Sequence, residues 1–150
     1  MGDVPRYPRL LGLGGLLPQF ACLVLAYFGS GEWQEAGRVV GAIYAALIFT
    51  FLGGTWWGIA ACAPAAERRG GLAWLWIAAV VPSLISAVAL GLWLSGRLPI
   101  EPVLVTLGGG LMVALDVDSR VGSLAPRWWL SLRVPLSVVL GVTTIAIALA

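Results

Sequence analysis

Apolar residues gather into five long runs, Leu10–Phe28, Ala36–Ala61, Leu72–Leu94, Ile100–Leu115 and Leu130–Ala150, and the charged residues fall at their ends or between them. A helix crosses the hydrocarbon core of a bilayer in ~20 residues, and most of the runs reach that length. They lack the alternate-residue period of barrel strands. Backbone N–H and C=O groups in lipid must then be bonded within each run, so the pattern predicts helices. The fold class that follows is all-α, a polytopic membrane protein in which residues 1–150 form one domain, a bundle of five transmembrane helices. Arg6 and Arg9 ahead of the first run resemble a signal peptide. However, the run continues to Gly29 without a small-x-small cleavage site, so an uncleaved first helix is expected.

Breakers and small residues modulate this pattern. Pro18 and Pro82 each remove an N–H and clash with the carbonyl four residues earlier, which predicts bends near Gly14 and Ala78. The Gly108-Gly109-Gly110 triplet, with Pro99 and Pro102 upstream, marks the fourth run as the weakest helix, short enough to be tilted or re-entrant. In the second run, Gly37 and Gly41, then Gly54 and Gly58, repeat one turn apart. Small residues at that spacing let backbones approach closely, the main source of helix association in lipid, so this helix should be the packing centre.

Composition agrees with the pattern. Hydrophobic residues make up 60% of the chain and charged residues 11%, with a mean hydropathy of +0.96, whereas soluble domains carry ~25% charged residues. The net charge of +2 gives no reason to expect a nucleic-acid partner. All the positive charge is arginine. Five crossings place Arg6, Arg9, Arg68, Arg69, Arg120, Arg127 and Arg133 on one side and only Arg38 and Arg97 on the other. Short arginine-rich segments stay cytoplasmic, which puts the N-terminus inside and the C-terminus outside. Indole rings favour the bilayer interfaces, and Trp56, Trp57, Trp74, Trp76, Trp128 and Trp129 fall toward the same cytoplasmic face, with Trp33 and Trp93 at the outer one.

The inventory of reactive groups is short. With no histidine, the commonest metal ligand and general base are absent. Cys22 and Cys62 lie at different depths, so neither a disulfide nor a cluster site is expected. No metal site and no cofactor are read from the chain, and no charge sits at the centre of a run. Asp116 and Arg133 end the fourth run and begin the fifth on one side of the membrane. If those helices are antiparallel neighbours, the two groups meet as a bidentate carboxylate–guanidinium pair. The alternative is that Arg133 snorkels to lipid phosphates while Asp116 is solvated beside Asp118 and Arg120.

Four stretches then resemble a known family. Leu11-Gly12 through Gly15-Leu16-Leu17-Pro18, Tyr44 with Phe51-Leu52-Gly53-Gly54-Thr55-Trp56-Trp57-Gly58-Ile59-Ala60, Val81-Pro82-Ser83-Leu84, and Pro126-Arg127-Trp128-Trp129-Leu130-Ser131-Leu132-Arg133 occur in order and at compatible spacing. The chain resembles the domain of unknown function 3429 family, whose animal relative is mitochondrial transmembrane protein 69. This resemblance implies a small multi-spanning protein of bacterial inner membranes and mitochondria, without an established activity. Where that family has histidine before Trp-Gly, this chain has Trp56 before Trp57 and Gly58. A histidine-borne role is therefore closed to it.

Two readings remain. The first is a non-enzymatic accessory or assembly subunit of a larger, energy-transducing membrane complex, with lipids and other membrane proteins as partners. The second is a binder or carrier of a lipid, quinone or pigment, in a pocket lined by Trp56, Trp57, Trp74 and Trp128.

Overall fold

The computed structural model describes residues 4–67 and 71–150, and Asp3, Arg68 and Arg69 lie outside them. Its regular structure is helical throughout: α1 (Arg6–Gly14), α2 (Leu17–Phe28), α3 (Glu32–Cys62), α4 (Ala73–Leu94), α5 (Ile100–Val121) and α6 (Trp129–Ala148), with short 3-10 turns after α3 and α5. Because α1 and α2 follow one line of the chain, these make five units long and apolar enough to cross a membrane: Arg6–Phe28, Glu32–Cys62, Ala73–Leu94, Ile100–Leu124 and Trp129–Ala148. The large apolar side chains on the outside, such as Phe51, Leu47, Ile77, Val88 and Val113, are exposed. Such a surface suits lipid, not water.

The break between α1 and α2 falls where Pro18 predicts it. A helix continuous through Pro18 would press its ring against the Gly14 carbonyl, and α1 ends at Gly14. Tyr44 of α3 donates its hydroxyl hydrogen to the Gly15 carbonyl in the gap, so a side chain of the next span occupies an acceptor at the break. Pro82 has a different outcome. Helix α4 runs through it unbroken, and the buried ring packs beside Gly53 of α3.

Helix α3 is the centre, touching α2, α4, α5 and α6. Gly37 and Gly41 do face inward, and a Cβ on Gly37 would stand 2.8 Å from the Ala26 nitrogen and the Cys22 carbonyl. Gly54 and Gly58 do not. Both are exposed, and a Cβ on either would meet nothing within 4 Å. The close contact belongs to Gly53, whose missing Cβ leaves room for the Ala79 carbonyl of α4. One residue turns a helix by about 100°, so Gly53 can point at α4 while Gly54 faces lipid.

Helix α5 corrects the expected fourth span. It does not stop at Leu115 but continues as one unbroken helix to Val121. The glycine triplet serves packing: a Cβ on Gly108 would stand 2.7 Å from the Gly141 carbonyl of α6, and one on Gly110 would stand 2.8 Å from the Phe49 ring of α3. Polar residues extend the helix because they have partners. Asp116 and Arg120 form an i, i+4 pair at 2.9 Å on its outer face, and Asp118 turns inward.

Candidate functional site

Asp118 of α5 has a fully buried side chain, and each of its donors comes from another helix, α3 or α6. Trp56 of α3 donates its indole N–H to Oδ1 at 2.8 Å, Trp129 of α6 donates to the same oxygen at 3.1 Å, and Arg133 of α6 donates Nε–H to Oδ2 at 3.1 Å. The Arg133 Nη2 also donates to the Ser137 hydroxyl at 3.1 Å, and the guanidinium lies 5.8 Å from the centre of the Trp129 ring. Trp129, Arg133 and Ser137 are spaced four apart, so one face of α6 presents all three. A buried carboxylate costs heavily unless paired and hydrogen-bonded, and this one is both.

The expected partnership of Asp116 with Arg133 is therefore corrected. Two residues along a helix are about 200° around it, so Asp116 and Asp118 face opposite ways. Arg133 pairs with Asp118, and Asp116 pairs with Arg120 on the exposed surface. Helices α5 and α6 do bring a carboxylate to Arg133, but it is Asp118.

Arg133 also lines a cavity of about 350 Å³ between α1, α3 and α6. Leu11, Leu16, Phe51, Leu132 and Leu136 are among its apolar lining, and Thr55, Trp128, Trp129, Arg133 and Ser137 bring polar groups to it. Among the described residues Arg133 is the sole charged one on this lining. A guanidinium has five N–H donors, and Asp118 and Ser137 are the partners that two of them find. Its remaining N–H groups have no hydrogen-bond partner among the described residues.

The four tryptophans expected to line one pocket are dispersed. Trp128 alone of them lines the cavity. Trp56 is buried on Asp118. Trp57 is half exposed and meets Trp76 of α4 edge to face at 4.7 Å, and Trp74 is exposed. These rings share one end of the bundle, but α3 and α4 point them in different directions.

A second polar site lies nearer mid-bundle. Gln19, the residue after Pro18, is buried and donates to the Thr144 hydroxyl at 2.8 Å, while its Oε1 has no partner. At the opposite end Arg38 faces Glu101 at 3.9 Å, and Tyr27 donates to the Ala146 carbonyl at 3.1 Å. Among the described residues no cluster of three or more His, Cys, Asp or Glu side chains has the geometry to hold a metal ion. Sequence reasoning passed over Asp118, Trp129, Ser137 and Gln19. A glutamine inside an apolar run and an aspartate one turn from a span end were the available signals.

No curated protein and no solved structure matches this chain. Over residues 4–150 it matches the family model described as a protein of unknown function, DUF3429, and the chain belongs to that family.

Proposed function

We propose that this protein binds a lipidic amphiphile in the cavity between α1, α3 and α6, as a non-enzymatic membrane protein of the bacterial inner membrane. The observation that carries this reading is a mostly apolar lining that includes a buried, ion-paired arginine with spare donors. The apolar length takes a hydrocarbon chain, and the Arg133 fork gives its polar end an orientation. Ligand sites commonly combine these two features, a mostly apolar wall and a few placed polar groups, within ~300–1,000 Å³. At the low end of that range, this cavity suits one chain and a small head better than a two-chain phospholipid.

The test is extraction in mild detergent from native membranes, followed by mass spectrometry of what stays bound. Leu136→Trp would fill the middle of the cavity from α6. The expected result is a bound amphiphile near one per chain in the parent protein, lost in the variant while the bundle still melts cooperatively. Equal retention by both would place the ligand elsewhere and end this reading.

An accessory or assembly role has its own support. Gly54 and Gly58 present an open small-residue face to lipid, and a helix of another membrane protein packs well on such a face. Gly54→Leu, which leaves the bundle's own contacts alone, is expected to remove copurifying membrane proteins if that face is used. An unchanged set of copurifying proteins would count against it.

A further inference from the structure

We propose that the head group bound at Arg133 is an electrically neutral, planar carbonyl, the chemistry of a quinone on a hydrocarbon tail. This inference rests on the ligand-binding reading above and names the ligand class for the same cavity. It comes from charge. Arg133 reaches the cavity already neutralised, with its Nε 3.1 Å from Asp118 Oδ2 and the Asp118 side chain fully buried. Indole N–H groups of Trp56 and Trp129 hold the other carboxylate oxygen, so Asp118 cannot swing away when a ligand arrives. Among the described residues no other charged one lines the cavity.

An anionic head would put a second negative charge beside Asp118 and leave the buried site one charge short of balance. Uncompensated charge in a low-dielectric interior is among the costliest things a site can hold. A cationic head would face the guanidinium. A neutral acceptor avoids both penalties, because a carbonyl oxygen takes an unused N–H of Arg133 without changing the sum of charges. The aromatic walls then favour a flat ring over an ester. Trp128 and Trp129 both line this part of the cavity, with centroids 6.4 Å apart and planes inclined by 50°, so a planar conjugated head finds ring faces to pack against.

The experiment is native mass spectrometry of the full chain in detergent micelles. Decyl-benzoquinone, methyl dodecanoate and dodecanoate are offered at equal concentration, at a pH where the last is ionised. The expected result is that decyl-benzoquinone exceeds dodecanoate by about tenfold or more, and exceeds the neutral ester by a smaller factor. In Asp118→Asn the amide still accepts from the indoles, but the Arg133 charge is left uncompensated, so the order should invert toward dodecanoate. The paired Asp118→Asn, Arg133→Gln variant removes both charges together, and it should keep the quinone ahead of the ester, because the Trp128 and Trp129 walls are unchanged. Dodecanoate bound by the parent protein as well as the quinone would overturn the neutral-head proposal, and ester bound as well as the quinone would overturn its planarity. If Leu136→Trp removes dodecanoate in that case, the cavity reading survives the failure. Absence of all three from the parent protein would overturn both.

Discussion

Asp116 and Asp118 stand two residues apart on α5, and the turn of the helix gives them opposite environments. Asp116 pairs with Arg120 on a face where both side chains are more than half exposed, a setting in which ion pairs contribute little. Asp118 is enclosed by Trp56, Trp129 and Arg133. Removing one partner of such a pair leaves a buried charge alone, so Asp118→Ala should cost about 3–5 kcal/mol. Asp116→Ala should leave the unfolding midpoint within error. Denaturation of the two variants in bicelles separates them, and similar losses would mean that Asp118 is not the hub described. A double-mutant cycle on Asp118 and Arg133 should also show less loss in the pair than in the summed singles, because the second change removes the charge that the first left stranded. The sequence made half of this site legible. Depth follows from position along an apolar run, so a carboxylate near the end of one helix and Arg133 near the start of the next were bound to lie at one level. Which carboxylate faces inward depends on how α5 is rotated about its axis, and the stripe Ile100, Val103, Leu107, Leu111, Ala114 and Val121 that sets this rotation also carries Asp118, whose charge reads as a loop position until its partners are known.

Adjacent glycines on α3 make the same point for packing between helices. Gly53 and Gly54 are indistinguishable in sequence, yet the Gly53 Cα faces the Ala79 carbonyl while Gly54 faces outward. A leucine at Gly53 must push α4 away, and overpacking of this kind costs about 1–3 kcal/mol or more. Gly54→Leu should leave thermal stability nearly unchanged. If both substitutions destabilise the bundle equally, α3 is rotated from the orientation described here. Gly37→Leu belongs with Gly53, since α2 backbone lies against it. The spans themselves were legible because bilayer thickness sets a run length that every helix must meet. The end of α5 was not legible, because Asp116, Asp118 and Arg120 look like a loop until their partners are known. The break at Gly15 and Leu16 was legible from Pro18, whose lost N–H acts within its own helix. Pro82, chemically equivalent, sits in an unbroken α4 against Gly53, and no local rule distinguishes the two.

Assembled, the helices put the charged groups toward two ends and leave an apolar outer girdle between them. One end carries the start of α1, the Asp118 hub and the Trp128–Trp129 pair, and the other carries Arg38, Glu101 and the Tyr27 contact with α6. The hydrogen bond from the end of α3 to the end of α5, and from there to the start of α6, fixes the first of these as one side of the bundle. Among the described residues that side holds Arg6, Arg9, Arg120, Arg127 and Arg133, against Arg38 and Arg97 opposite. Short segments rich in arginine resist translocation, so the hub side should face the cytoplasm. Reporter fusions test this directly. Fusions at Ala65 and Ser123 should report cytoplasm, and those at Gly31 and Gly96 the outer compartment. An odd number of crossings sends the C-terminus to the side opposite the N-terminus, so a reporter after Ala150 should be external. The C-terminal reporter is the most exacting of these, because it depends on α5 crossing fully despite its glycine triplet. A cytoplasmic signal there, with Gly96 still external, would mean that α5 turns back within the membrane. The Gly108 contact with Gly141 would then be lost, and with it the close crossing of α5 and α6 that holds Arg133 against Asp118.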